Sequence, residues 1–121
     1  MKLGRLNHIG VATPSIEESI SYYRDVMGAG RIRDPFEPLG EDSPIHGFLA
    51  KNPAGGQHHL CYEVEDIDEA RSWFEGLGKR ILGPTRIGAH GSPIFFLHPK
   101  DMMGQLTEIM ETPKDDTHWS N

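Results

Sequence analysis

The sequence has little of several features that mark large classes of protein. It contains a single cysteine, so it cannot form an intrachain disulfide, which favours a reducing compartment. No stretch approaches the roughly 20 consecutive apolar residues of a transmembrane helix, and the first residues lack the apolar core of a signal peptide. Basic residues are scarce, with 12 Lys and Arg against 18 Asp and Glu, and they form no run. We therefore expect a cytoplasmic protein that binds neither nucleic acid nor membranes.

What the chain does contain is one pattern that occurs twice. Residues 6–11 precede a helix-like stretch, and residues 57–62 precede another one, 51 positions later. At that offset His8 falls on His59, so each copy supplies a histidine from the same position of its strand. Two copies of one supersecondary unit, each with an equivalent histidine, indicate a pseudo-symmetric metal site.

The predicted elements follow the same order in both copies: a strand, a turn, a capped helix and a glycine stop. The second copy then continues with further strands, which makes it a βαβββ module. The predicted elements are a strand over 6–12 with a helix from Ser15 to Gly28, a strand over 59–64 with a helix from Asp66 to Gly78, and strands near 79–82, over 93–98 and over 105–110.

The first module is shorter than the second. Residues 38–56 resemble a connecting segment with a short helical turn, so few residues remain before them, and the first module lacks roughly two strands of the usual five or six residues. We predict an α+β fold of paired βαβββ modules with the first one truncated. Its parts are a first module over 1–37, the connecting segment 38–56, a second module over 57–112 and a polar tail over 113–121. The sheet edge left open by the missing strands predicts a dimer.

His8, His59 and Glu108 are the candidate metal ligands. Side chains alternate along a strand, so His59 shares a face with Cys61 and Glu63. Glu108 lies in an otherwise apolar strand, where an unpaired charge is costly and a divalent cation is a suitable partner. Two imidazoles and a carboxylate suit Zn, Mn, Fe, Co or Ni, and ligand type does not choose among them. Any one histidine alone is more often structural, but the repeat offset favours a ligand set.

Other chemically active side chains have plainer interpretations. Cys61 is predicted to be a small buried hydrophobe, with a nucleophile as the alternative. His58 should point away from His59 and serve in packing or at the surface. Lys100 and Arg86 either contact an anionic substrate or are solvated surface charges. The remaining histidines are assigned structural roles; these are His46, His90, His98 and His118.

Four blocks of the sequence resemble methylmalonyl-CoA epimerase, and the resemblance as a whole extends over nearly the whole chain except residues 29–36. The four blocks are residues 6–12, 39–64, 87–101 and 104–108. That enzyme belongs to the vicinal oxygen chelate superfamily, together with glyoxalase I and the extradiol dioxygenases. The first block is shared more widely in the superfamily, and the others are specific to the epimerase branch.

The resemblance implies metal ligands at His8, His59 and Glu108, a divalent metal that is often cobalt, and a homodimer. It also implies an acyl-CoA substrate and proton transfer at the carbon between the thioester and the carboxylate of methylmalonyl-CoA, with Glu108 as ligand and as one acid/base group. In the family, the first module supplies a second carboxylate and a further polar side chain near the metal. That segment is missing here, and Asp34, Glu37 or a partner chain are the candidates to replace it.

Three functions are consistent with these observations. The first is an epimerase-like enzyme that acts on a short-chain acyl-CoA thioester. The second is a non-catalytic protein that binds a metal or a small ligand in the remaining half cleft. The third is another lyase or isomerase of the superfamily with a changed substrate.

Overall fold

We describe the protein from a computed structural model, in which residues 1–28, 44–88 and 91–113 are placed, without the side chains of residues 44–46. This part contains both strands and helices. They are β1 (Leu6–Ala12), α1 (Ile16–Ser21) continued by a π-helical turn (Tyr22–Val26), α2 (Pro44–Lys51), β2 (Gly56–Val64), α3 (Ile67–Gly76), β3 (Arg86–Ile87), β4 (Pro93–Leu97), a 3₁₀ turn (Pro99–Asp101) and β5 (Thr107–Glu111).

The strands of the described residues form one mixed sheet in the order β1-β2-β5-β4-β3. β2 and β5 are parallel, whereas β5 with β4 and β4 with β3 are antiparallel. The second copy of the repeat therefore supplies β2, α3, β3, β4 and β5, which confirms the predicted βαβββ module and the α+β class. Among the described residues the first copy supplies one strand, β1, and the helix α1 with its π-helical turn.

The chain divides into two compact units, one of Met1–Gly10 with His59–Asn121 and one of Val11–His58. The sheet of the first unit has two faces with different contacts, because side chains alternate along each strand. On one face Phe95, Leu97 and Ile109 pack against α3. On the other face Cys61, Ile94 and Met110 form a second buried cluster. The second face is the one that carries the candidate ligands of β2 and β5.

α3 begins and packs as its sequence predicts. The side chain of Asp66 accepts hydrogen bonds from the backbone N–H groups of Asp68 and Glu69, which caps the helix. Ile67, Ala70 and Phe74 are buried against the sheet; removing an isoleucine or phenylalanine side chain from water contributes about 2 kcal/mol. The apolar spacing of Ile67, Ala70 and Phe74 also predicts Leu77 on this face, and this prediction is wrong. Leu77 is the C-cap residue, just beyond the helix, and is 56% exposed.

The helix of the first copy is shorter than predicted. Ser15 caps it by accepting a hydrogen bond from the Glu18 N–H, but the α-helix ends at Ser21 instead of Gly28. The π-helical turn over Tyr22–Val26 follows, and α1 has no buried residue in the described part of the chain. Apolar spacing alone did not indicate this change, since a π-helical turn differs from an α-helix in its backbone hydrogen bonds, which reach one residue further.

The position of β3 also differs from the prediction. The strand expected over 79–82 is reduced to an isolated bridge between Ile81 and Leu97, and the two-residue strand lies at Arg86–Ile87 instead. Gly83, with φ +84°, and the following proline interrupt the chain after Leu82, so pairing resumes only beyond them.

Several predictions fall outside the described residues: those for 29–37, for His90 and His118, and for the tail beyond 113. Among the helices that the structure describes, none has both the length and the apolar character needed to cross a membrane.

Candidate metal centre

His8, His59 and Glu108 converge on one point within the first unit. The two Nε2 atoms of His8 and His59 are 3.3 Å apart. Oε1 of Glu108 lies 3.4 Å from Nε2 of His8 and 3.1 Å from Nε2 of His59. The three side chains are 23%, 17% and 9% exposed, so the cluster is largely shielded but remains open on one side.

Three neighbouring strands bring these groups together. β1 carries His8, β2 carries His59 and β5 carries Glu108, and β2 lies between the other two. The parallel register pairs Cys61 with Glu108, and the antiparallel register pairs Phe96 with Glu108 on the other side. Glu108 is therefore on a central strand, held between two partners, and its position depends on the backbone of the sheet and not on a loop.

The electrostatics of the cluster keep Glu108 ionised. Burial by itself would raise the pKa of Glu108, but its contacts with the rings of His59 and, after it, His8 outweigh burial and lower the pKa to about 2. At neutral pH the site therefore holds a carboxylate, which is a strong ligand for a divalent cation and an acceptor for a proton.

Gly10 makes room for the ring of His59. A Cβ atom at this position would lie 2.7 Å from Nε2 of His59 and closer still to Cε1 and Nδ1. Backbone and ring can approach this closely only because glycine has no side chain. The glycine that follows the first histidine in the repeated pattern is thus part of the site, which the sequence did not indicate.

Cys61 lies beside the cluster and was not predicted there. One ligand atom from each of His8, Cys61 and Glu108 lies within 4.8 Å of the others. The thiol is fully buried, as expected for a small hydrophobe. Burial, followed by the charge of Glu108 and a hydrogen bond to it, raises the pKa of Cys61 well above the usual range of a thiol. The thiol is therefore protonated at neutral pH and a weak nucleophile. The shared strand face of His59 and Cys61 was the signal available in the sequence.

An aromatic ring and a cation adjoin the same cluster. The ring of Phe96 packs edge-to-face on His59, with ring centroids 5.7 Å apart. The guanidinium carbon of Arg86 lies 5.8 Å from the centroid of Phe96. Of the two cations proposed for an anionic substrate, Arg86 is thus linked to the cluster through one ring. Lys100 instead lies in the 3₁₀ turn, where its backbone N–H donates to Nδ1 of His98.

The remaining histidines have other contacts or lie outside the described side chains. In the second unit the ring of His58 packs edge-to-face on Phe48, with centroids 5.3 Å apart, which fits its predicted packing role. His98 caps the 3₁₀ turn, a structural role as predicted. The side chain of His46 lies outside the described part.

The donor set of His8, His59 and Glu108 fits a divalent cation of the zinc and cobalt type. Donor atoms that surround such an ion at about 2.1 Å, at tetrahedral or octahedral angles, are about 3.0 to 3.4 Å from one another. The three distances between the donor atoms, 3.1, 3.3 and 3.4 Å, match this spacing. Two imidazole nitrogens and one carboxylate oxygen leave further coordination positions open for substrate or water.

Comparison with known proteins identifies relatives of this chain. Residues 36–96 match the family model of the glyoxalase/bleomycin resistance protein/dioxygenase superfamily. The ethylmalonyl-CoA/methylmalonyl-CoA epimerase of Cereibacter sphaeroides is 46% identical over 88% of this chain and 97% of its own. That alignment spans 130 positions, more than the 121 residues of the whole chain, so part of the relative has no counterpart here.

Solved structures give the same result. A variant of the Streptomyces coelicolor methylmalonyl-CoA epimerase, in complex with 2-nitronate-propionyl-CoA, is 30% identical over 96% of this chain and 99% of its own, with a TM-score of 0.80. A methylmalonyl-CoA epimerase in complex with methylmalonyl-CoA and NH4+ is also 30% identical, over 93% of this chain and 97% of its own, with a TM-score of 0.79.

Proposed function

The chain belongs to the glyoxalase/bleomycin resistance protein/dioxygenase superfamily and, within it, to the methylmalonyl-CoA epimerases, and from this membership we propose that it is a metal-dependent epimerase. Its substrate is a short-chain acyl-CoA thioester, with methylmalonyl-CoA as the first choice. The reaction removes the proton from the carbon between the thioester carbonyl and the carboxylate, and returns a proton to the other face of that carbon.

The observation that carries this proposal is the convergence of three donor atoms at metal-ligand spacing. Nε2 of His8, Nε2 of His59 and Oε1 of Glu108 would hold the cation. When bound, a divalent cation supplies positive charge that stabilises the negative charge developing on the thioester oxygen as the proton leaves. Cobalt is the first candidate, and Zn, Mn, Ni and Fe are the alternatives that the donor set allows.

Glu108 is the candidate for one of the two proton transfers. Its carboxylate is ionised at neutral pH and largely buried, and Glu108 is paired with Cys61 of β2 and Phe96 of β4. The other buried carboxylate on this face, Glu63, is occupied by Arg5 and Asn7, so we assign it no proton transfer. The second acid/base group therefore comes from outside the described residues or from a partner chain.

Arg86 is the candidate contact for the negative charge of the substrate. Its guanidinium group is held over Phe96, next to His59, and is exposed on the side that faces solvent. A chain with a net charge of −6 needs such a local cation to attract an anionic substrate.

The test is solvent exchange at the reacting carbon. In deuterium oxide, the protein should wash deuterium into the α-position of methylmalonyl-CoA, and EDTA should abolish the exchange. Glu108→Gln should abolish it as well, whereas Glu75→Gln, on an exposed position of α3, is the matched control and should exchange like the wild type. Exchange that persists in EDTA or in Glu108→Gln would contradict the proposal.

A second candidate function is favoured by the missing part of the first module. A chain that retains the three donors but lacks a second acid/base group binds a metal or a small ligand without catalysis. The same samples separate the two functions, because a binder takes up metal but gives no deuterium exchange. Exchange only with a different acyl-CoA would instead indicate a related isomerase or lyase.

We also propose a cytoplasmic homodimer with the module limits 1–37, 38–56, 57–112 and 113–121. In a dimer, the partner chain can supply the second acid/base group of the site. Sedimentation of the purified protein as a monomer alone would contradict it.

A further inference from the structure

Glu63 is a buried carboxylate whose contacts lead directly to the metal centre. Glu63 is only 1% exposed to solvent. Its Oε2 accepts a hydrogen bond from Nε of Arg5, at 3.0 Å, and another from Nδ2 of Asn7, at 2.7 Å. At the other end of the Asn7 amide, Oδ1 of Asn7 lies 2.7 Å from Nδ1 of His8. These contacts connect Arg5, Glu63, Asn7 and His8 in one chain of hydrogen bonds, which we call the His8 relay.

The direction of each bond in the His8 relay is fixed by chemistry. An ionised carboxylate can only accept, so the atom of Asn7 that faces Glu63 must be the amide nitrogen. The amide oxygen of Asn7 then faces His8, and it too can only accept. Nδ1 of His8 must therefore carry a proton and donate it.

The relay settles a competition between the two ring nitrogens of His8. Oε1 of Glu108 lies 3.4 Å from Nε2, at the opposite edge of the ring from Asn7. A neutral imidazole has one N–H, so it donates either to Asn7 through Nδ1 or to Glu108 through Nε2. Only the first tautomer leaves a lone pair on Nε2 for a cation. The contact with Asn7 is the shorter one, and donation from Asn7 to the carboxylate makes its oxygen a better acceptor.

We infer that Asn7 and Glu63 are positioning residues, which hold His8 in the Nδ1–H tautomer and aim its Nε2 at the metal site. This inference rests on the proposed metal centre but not on any particular reaction. The backbone supports the same arrangement, because the N–H of Gly4 donates to the Glu63 carbonyl and the N–H of Glu63 donates to the Arg5 carbonyl. A Cβ at Gly4 would lie 2.8 Å from that carbonyl oxygen, so the close approach requires glycine.

The first experiment observes the tautomer directly. The ¹⁵N chemical shifts of His8 are recorded in metal-free protein at alkaline pH, in wild type, Glu63→Gln and Asn7→Leu. The wild type should show Nδ1–H. Glu63→Gln keeps the shape of the side chain, but its amide can donate or accept, so the amide of Asn7 is free to rotate and the Nε2–H form should appear. Asn7→Leu removes the acceptor and should show mostly Nε2–H. The Nδ1–H form in all three proteins would overturn the inference.

The second experiment measures metal affinity with the same proteins. Competition between each protein and a chromophoric chelator for Co²⁺ or Zn²⁺ should show Asn7→Leu and Glu63→Gln binding about 10-fold more weakly than wild type, the lower end of the effect of such supporting groups. Asn52→Leu, which removes an exposed side-chain bond to Phe48, is the matched control and should bind normally. Unchanged affinity in Asn7→Leu would overturn the inference, and this variant also carries the test if Glu63→Gln does not fold.

The two proposals can fail separately. Metal binding that depends on Asn7, without deuterium exchange, would support the relay and reject the epimerase. Exchange by a protein whose metal affinity and His8 tautomer do not depend on Asn7 or Glu63 would support the epimerase and reject the relay.

Discussion

Replacing Gly10 with alanine should remove His59 from the proposed metal site without unfolding the protein. A Cβ at Gly10 would lie 2.7 Å from Nε2 of His59 and closer to two other ring atoms. Ordinary contacts between such atoms are about 3.5 to 4.0 Å, and the nearest ring atom, Cε1, would lie 2.1 Å from the added Cβ, so the ring must withdraw by about 1.4 Å or more. Functional groups need to be held within about 0.5 Å of their productive geometry, so a shift of this size misplaces one of the three donors.

The expected loss of affinity follows from the cost of overpacking. An added methyl group in a packed region typically costs about 1 to 3 kcal/mol. If this strain falls on the arrangement that binds metal, the affinity decreases roughly 5- to 140-fold. The measurement is competition with a chromophoric chelator for Zn²⁺ or Co²⁺, together with a thermal unfolding curve of the metal-free protein to show that it remains folded.

Gly76→Ala is the matched control for this variant. Gly76 lies at the end of α3, and a Cβ there would meet nothing within 4 Å. Its metal affinity should equal that of the wild type. If Gly10→Ala also binds metal with an affinity within twofold of the wild type, then the ring of His59 does not occupy the position described, and the assignment of the centre to these three donors is wrong.

Two further predictions concern stability alone. Asp66→Ala should lower the free energy of unfolding by about 1 kcal/mol in urea titrations, because α3 loses its cap, and should leave metal affinity unchanged; an unchanged urea midpoint would reject the capping role. The Arg80 side chain and the Arg80 backbone N–H hold the pKa of Asp101 below its usual value of 3.8. The ionised carboxylate therefore stabilises the fold at pH values above 3.8, and this contribution is lost as the pH falls through the lowered pKa. Asp101→Asn should therefore be less stable than wild type at pH 7 and match it in strong acid, and a deficit that persists in strong acid would show that the ion pair is not its cause.

Local signals predicted much of the first unit. The repeated pattern placed His8 and His59 at equivalent strand positions, and the structure brings their Nε2 atoms together. The cap at Asp66 and the apolar spacing that follows predicted α3 and its buried face. A charged residue within an apolar strand singled out Glu108, because few structural roles suit such a side chain. These features depend on neighbouring residues or on the period of a strand, which a sequence displays directly.

Features that depend on register could not be predicted. Cys61 lies beside Glu108 because β2 and β5 are parallel with these two residues paired, and no local pattern specifies that pairing. The room that Gly10 leaves for His59 also depends on how two strands face each other. β3 was misplaced because Ile81 and the strand Arg86–Ile87 both pair with β4, and the sequence does not show which of the two makes more than a single bridge.

The donors of the centre come from three consecutive strands of the sheet, and β1, which carries His8, stands at one end of the described strand order. A terminal strand with a neighbour on one side only is the first to fray, whereas β5 opens only when the sheet as a whole does. A cation bound by the donors of all three strands would thus link β1, near the beginning of the chain, to β5, the more protected strand. Loss of the ion should free that beginning first, so that proteases cut there while the rest of the sheet stays intact.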